Sequence, residues 1–259
     1  MQVNVKGADT FVATGGKAFD ASLPTVVFLH GAGNDHTAWA QHDRWFAHHG
    51  YNVLAPDLPG HGRSAGALLS TIGEMADWTS ALLDASGAKS AKLIGHSMGS
   101  LIALELAARH PAKVSALVLV GTSAAMAVGP DFLKAAEAND HAAIEMASIW
   151  GLGHAAGLGG SLAPGLWMHG GMQRLLERCK DGVLFNDLAA CNAYQNALPA
   201  AAAVKVPTTL VLGERDMMTP AKAGRALAAA IPHARTVVLR GAGHMMMTER
   251  PDELLAAMR

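Results

Sequence analysis

Charge of either sign is scarce in this chain. Asp, Glu, Lys and Arg make up 16% of the 259 residues, and 20 basic against 21 acidic side chains leave a formal net charge of −1. There is no Lys/Arg run that could follow a phosphate backbone, which argues against nucleic acid as a partner. Cysteine is almost missing. Cys179 and Cys191 stand twelve positions apart with no Cys-x-x-Cys pair, so they fit neither a zinc site nor a disulfide scaffold and are read as reduced thiols. The opening Met1-Gln2-Val3-Asn4-Val5-Lys6 lacks a basic segment followed by an apolar stretch, and a cytoplasmic protein is the expectation. Residues 146–173 hold no Asp, Glu, Lys or Arg. Eight glycines, Pro164 and two histidines among them still argue against a membrane span, which needs about 20 continuous apolar residues.

Apolar residues, by contrast, make up 51% of the chain, enough to bury a sizeable core and to exclude disorder. The length suits one large α/β domain with an insertion. Gln2 to Val12 alternates loosely, and with the Gly15-Gly16 turn it reads as an opening antiparallel pair. Thr25-Val26-Val27-Phe28-Leu29, Tyr51 to Ala55, Lys92 to Gly95 and Val114 to Val120 read as strands. Helices are expected over His36 to Gly50, Ile72 to Ala85 and the stretch after Ser97. On that last helix Glu105 and Arg109 have the i, i+4 spacing of a surface ion pair. Strand, helix and strand in this rhythm imply a parallel, doubly wound sheet with right-handed crossovers.

From about Ala124 to Val204 the alternation stops. That stretch is glycine-rich and helical, with Phe132 to Ala138, Ala142 to Trp150 and Met172 to Cys179 as helix candidates, and it reads as an insertion over the carboxyl edge of the sheet. Strands resume at Thr208 to Gly213 and Thr236 to Leu239. The helix between them is expected to take Thr219 as cap and Pro220 in its first turn, and a final helix to run from Pro251 to Arg259.

The most informative stretch is Lys92-Leu93-Ile94-Gly95-His96-Ser97-Met98-Gly99-Ser100-Leu101, an apolar strand cut by a glycine-flanked serine and followed by an apolar helix. A reactive serine on such a corner holds a strained backbone, and a Cβ at Gly95 or Gly99 would strike the neighbouring strand or helix. The strain exposes the Ser97 hydroxyl and leaves the Met98 N–H free at a helix start.

Reactive groups of a parallel sheet gather at the carboxyl ends of its strands. Those ends carry His30-Gly31-Ala32, Ser97, Asp216 and Gly243-His244. Together with Asp57-Leu58-Pro59-Gly60-His61-Gly62, and in the order Ser, Asp, His, they resemble the α/β-hydrolase family over nearly the whole chain outside the insertion. The resemblance implies a mostly parallel eight-stranded sheet with a helical cap, the core formed by residues 1–123 and 204–259 and the cap by residues 124–203. It implies no cofactor and no metal.

The chemistry then distributes the roles. A serine hydroxyl needs a base during attack, assigned to His244; the imidazolium needs a carboxylate, assigned to Asp216; and the N–H groups of Ala32 and Met98 form the oxyanion hole. His96 is a rival base, though neighbours round a tight turn point apart. Glu214 is a rival acid, though its side chain points to the other face. The strand end Val120-Gly121-Thr122-Ser123, where some family members carry the acid, has no carboxylate. His30 is expected to shape the oxyanion loop and Asp57 to form a turn.

Trp150, Leu162, Leu166, Trp167, Met168 and Met172 of the insertion, with Met217, Met218 and Met245 to Met247, offer an adaptable apolar pocket. Trp150, Trp167, Met168, Met217 and Met245 are singled out as substrate-binding. The reading is a carboxylesterase for small to medium uncharged esters, acting as monomer or homodimer. A lactonase or carbon–carbon bond hydrolase shares the mechanism; His96, where carbon–carbon hydrolases often carry Asn, weakens the latter, and Ser97 excludes the Asp-nucleophile members. A hydrolase-like receptor with negligible turnover is the alternative of another class.

Overall fold

The structure, a computed structural model, describes residues 1–160 and 165–259. β1 (Gln2–Val5) and β2 (Ala8–Ala13) form an antiparallel hairpin. Its turn is Lys6-Gly7, not Gly15-Gly16 as expected. Both turn residues have positive φ, 50° and 85°, the two-residue geometry whose twist matches that of the flanking strands. β3 (Thr25–Leu29) is buried throughout. The single helix expected over His36 to Gly50 is instead a 3₁₀ turn at His36–Trp39, capped by the Asp35 side chain, followed by α1 (Ala40–Ala47).

β4 (Asn52–Pro56) and α2 (Ile72–Ala85) follow, the latter opened by a reciprocal Thr71–Glu74 capping box. Next come β5 (Ala91–His96), α3 (Met98–Arg109) and β6 (Val114–Val120). The insertion contributes α4 (Pro130–Glu137), α5 (His141–Gly151), α6 (His154–Gly157), α7 (Met168–Glu177), α8 (Val183–Ala193) and α9 (Ala197–Ala203). The chain closes with β7 (Thr208–Gly213), α10 (Ala221–Ala229), β8 (Arg235–Leu239), α11 (Met246–Glu249) and α12 (Pro251–Met258).

The eight strands form one sheet in the order β1-β2-β4-β3-β5-β6-β7-β8, antiparallel at β1-β2-β4 and parallel from β4 to β8. Alternate residues of each central strand serve opposite faces. Val27 and Leu29 pack with α2, α3, α9 and Leu227 of α10. Val26 and Phe28 pack with α1, α12 and residues of the insertion such as Phe132, Met172 and Leu188. Burying each such side chain contributes about 1.5–3 kcal/mol. The chain winds from β3 to β4 on one side and then crosses to β5 on the other, so the order reverses between β3 and β5. A crevice opens at such a reversal, outside the carboxyl ends of the two strands.

Two elements differ from expectation for local reasons. Thr219 does not cap α10: the N-cap position is Pro220, and the Thr219 hydroxyl is engaged by Asp216. Glu105 is not a surface residue. It is 5% exposed and accepts hydrogen bonds from the Tyr194 hydroxyl at 2.6 Å and Asn196 Nδ2 at 2.9 Å, tying the α8–α9 link to α3. Arg109 makes its shorter ion pair with Asp77, at 2.7 Å against 3.5 Å to Glu105.

Candidate active site

Ser97 sits between β5 and α3 with φ 52° and ψ −120°, a strained conformation for a residue with a side chain. Crowding holds it there. A Cβ on Gly95 would lie 2.1 Å from the Gly99 carbonyl oxygen, and one on Gly99 would lie 2.3 Å from that of Leu29. Strand and helix can approach this closely only without those side chains. The corner is fastened by the Ser97 N–H, which donates to Val120 O at 2.9 Å, and by Ser100, whose hydroxyl donates to Ser97 O at 2.6 Å.

Asp216 and His244 come together after β7 and β8, through loops in which a Cβ on Gly213 would meet Gly243 O at 2.1 Å. His244 Nδ1 donates to Asp216 Oδ2 at 2.8 Å. Asp216 is 5% exposed and is otherwise satisfied by the N–H groups of Met218 and Thr219 and by the Thr219 hydroxyl, at 2.7–2.9 Å. Burial pushes its carboxyl up, but the His244 charge and these donors together outweigh that and hold it below the usual carboxylate range. Thr219 thus belongs to the site, a role its position before Pro220 disguised as helix capping.

The rival residues are engaged otherwise. Glu214 is exposed and accepts from Gly241 N–H. His96 is buried against His244, ring centroids 4.6 Å apart, and its Nε2 donates to the His244 carbonyl at 3.0 Å. Burial first, and the His244 charge second, drive its pKa down to about 3, so it stays neutral and braces the His244 loop.

The loop after β3 brings Ala32 to the same place. His30 is fully buried; its Nε2 accepts from Leu58 N–H at 3.2 Å, which leaves Nδ1–H to donate to Gly31 O at 3.0 Å. Burial holds its pKa near 4. Among the described residues neither Ala32 N–H nor Met98 N–H has a protein acceptor.

Ser97, His96, His244, Ala32 and Met245 line one small cavity of about 50 Å³. Among the described residues Ser97 Oγ makes no hydrogen bond to His244, a contact that in unliganded sites often tightens only with substrate. Ser97 and Ala32 also open onto a larger cavity of about 330 Å³ with Trp150, Met217 and Met218 in its wall. Phe132, Leu188 and Val128 complete that wall. The sequence did not point to them: Phe132 reads as one apolar residue of a helix, Val128 precedes that helix, and Leu188 is on α8, where apolar residues are spread all round.

Trp167 and Met168 are not brought to Ser97. They line a separate cavity of about 250 Å³ beside Arg174 and Arg178, behind Met172 and Met245, which border both it and the small cavity. Trp167 is 69% exposed. Leu162 lies outside the described residues.

One group among the described residues, Asp35, His36 and Asp57, brings metal-ligand atoms within 4.8 Å of one another. Its oxygens are already taken: Asp57 accepts from the N–H groups of His36 and Arg63 and from His36 Nδ1, and Asp35 from Thr37. Both cysteines are free. No helix among the described residues is long and apolar enough to cross a membrane.

The sheet order, the serine corner and the aspartate–histidine pair define a class. Residues 24–251 match the α/β hydrolase fold family, and the chain belongs to it. It is 31% identical over 222 residues to a pimeloyl-acyl-carrier-protein methyl ester esterase of Neisseria meningitidis, covering 80% of this chain and 81% of that one. A dihydrolipoyllysine-residue acetyltransferase component of an acetoin cleaving system from Cupriavidus necator is 39% identical over 97 residues, covering 37% of this chain and 26% of that protein. Among solved structures, an enol-lactonase from Burkholderia xenovorans superposes with a TM-score of 0.87 at 24% identity, covering 99% of this chain and 97% of that one, a likeness of fold.

Proposed function

We propose that the protein is a serine carboxylesterase for small to medium uncharged esters. The observation that carries this reading is the strained Ser97, sharing a cavity with a histidine whose far nitrogen is bonded to a buried aspartate. Ser97 Oγ attacks the ester carbonyl while His244 Nε2 takes its proton, and Asp216 holds the imidazole in the Nδ1–H tautomer and balances its charge. Ala32 and Met98 N–H receive the oxyanion; a lost donor of this kind typically costs about 3–4 kcal/mol in the transition state. His244 returns its proton to the departing alkoxide, then activates the water that hydrolyses the acyl-enzyme.

Residues 124–203 serve as the lid over the core of residues 1–123 and 204–259. The wall of Trp150, Phe132, Leu188 and Met217 favours uncharged groups, since among the described residues no Asp, Glu, Lys or Arg lines the 330 Å³ cavity. The similarity to the Neisseria esterase supports ester cleavage. Every step uses side chains, backbone N–H groups and water. The test is hydrolysis of p-nitrophenyl acetate and butyrate: turnover lost in Ser97→Ala with an unchanged fold is expected, and full activity in that variant ends the assignment.

A further inference from the structure

The loop that presents Ala32 is held from two sides, and one of them is the insertion. The peptide joining Gly31 to Ala32 carries the Ala32 N–H at one end. Its carbonyl, at the other end, accepts from His30 Nδ1 at 3.0 Å and from Asn34 N–H at 3.1 Å. The next peptide joins Ala32 to Gly33, and the Gly33 N–H donates to Asp187 Oδ2 at 2.9 Å. Asp187 is on α8, 154 residues further along, and is fully buried. The core therefore fixes the peptide before Ala32, and α8 fixes the one after it.

Asp187 is itself held. Its Oδ2 accepts from His61 Nε2 at 2.8 Å, and the other ring nitrogen of His61 lies 3.0 Å from Pro59 O. Both ring nitrogens face acceptors, and although burial lowers the His61 pKa, the Asp187 charge and these acceptors outweigh it and raise it, which favours the doubly protonated ring paired with Asp187. Asp187 Oδ1 accepts from Asn186 Nδ2 at 3.2 Å, and the same amide donates to Leu69 O at 2.9 Å. Gly33 has φ 67°, which a residue with a side chain rarely adopts, and the methyl ends of Leu184 and Leu176 lie over it, 2.9 and 3.1 Å from where a Cβ would stand.

A buried carboxylate aimed at a single loop N–H is costly unless it is paired, and a surface helix docked only for packing does not require one. We propose that Asp187, paired with His61, is a positioning residue for the oxyanion loop, so that docking of α8 and orientation of the Ala32 N–H are one event. The inference rests on the oxyanion role proposed above for Ala32. Asp187 touches no reacting atom and acts through Gly33.

Wild-type turnover of p-nitrophenyl butyrate, and its loss in Ser97→Ala, test the parent reading by themselves. The positioning role is tested by Asp187→Asn, which keeps the shape but cannot serve both donors as an anion. The expected result is a fall in kcat of about tenfold or more with KM within about twofold, because a displaced donor weakens the transition state rather than the bound ester. Affinity for an alkylboronic acid, which becomes tetrahedral on Ser97, should fall in parallel, and hydrogen exchange at Gly33 should quicken. His61→Gln, which keeps a neutral donor, should shift the same quantities in the same direction by less. Arg178→Ala removes another tie between insertion and core, the 3.0 Å pair with Asp35, and should leave kcat unchanged. Wild-type kcat in folded Asp187→Asn, or equal losses in Asp187→Asn and Arg178→Ala, would overturn the proposal. So would unchanged exchange at Gly33.

Discussion

Asp216 spends all its accepting capacity on four donors, and only one of them is the histidine. An Asn at this position would present an amide where His244 Nδ1–H needs an acceptor and would favour the wrong tautomer. Asp216→Asn should lower kcat on the order of 10⁴-fold with little change in KM, measured on p-nitrophenyl butyrate. The depressed pKa also has a sign. A carboxyl whose folded pKa lies below its unfolded value stabilises the fold above about pH 4 and loses that contribution as acid protonates it. The Tm difference between wild type and Asp216→Asn should move against wild type below about pH 4, and a constant difference down to pH 3 would contradict this. Thr219→Val removes one buried donor from the same carboxylate, with an expected loss of about 1 kcal/mol in urea unfolding.

At the scale of elements, the site is made by close approaches that glycine permits. At Gly99 the atoms in the way are the carbonyl oxygens of Leu29 and His30 in and beside β3, not the tip of a flexible side chain. Gly99→Ala must separate α3 from the sheet, and a loss of about 3 kcal/mol, read from chemical denaturation, is expected. This constraint was legible in the sequence, because glycines two positions either side of a serine on a strand-to-helix boundary have few other uses. The helices α8 and α9 were not legible. Apolar residues are spread round α8, and α9 is alanine broken by Pro199, so neither shows a stripe of helical period. Packing decides them: Ala197, Ala200 and Ala201 fit against α3 in the core beneath the sheet.

At the scale of the whole molecule, the small cavity at Ser97 shares walls, among the described residues, with both the 330 Å³ cavity at Trp150 and the 250 Å³ cavity at Trp167. Met172 and Met245 stand between the small cavity at Ser97 and the 250 Å³ cavity at Trp167. Truncating the partition should join the two. Met172→Ala is expected to cost about 2–4 kcal/mol of stability and to raise kcat/KM for octanoyl over butyryl p-nitrophenyl esters, measured across an acyl-length series. An unchanged length preference in the folded variant would show that the two spaces do not communicate.

The sequence by itself determined the parallel sheet, the serine corner and the order of Ser97, Asp216 and His244. These depend on short-range facts: runs of apolar residues long enough for buried strands, and turns that only certain residues can make. Tertiary structure alone decided that Trp167 faces a different cavity from Trp150, that Thr219 serves Asp216 rather than a helix end, and that Asp187 reaches Gly33 across 154 positions. Each of these is a contact between distant segments. The periodicity of one segment shows which face is apolar, but the surface that meets that face is set by how all the segments share one volume.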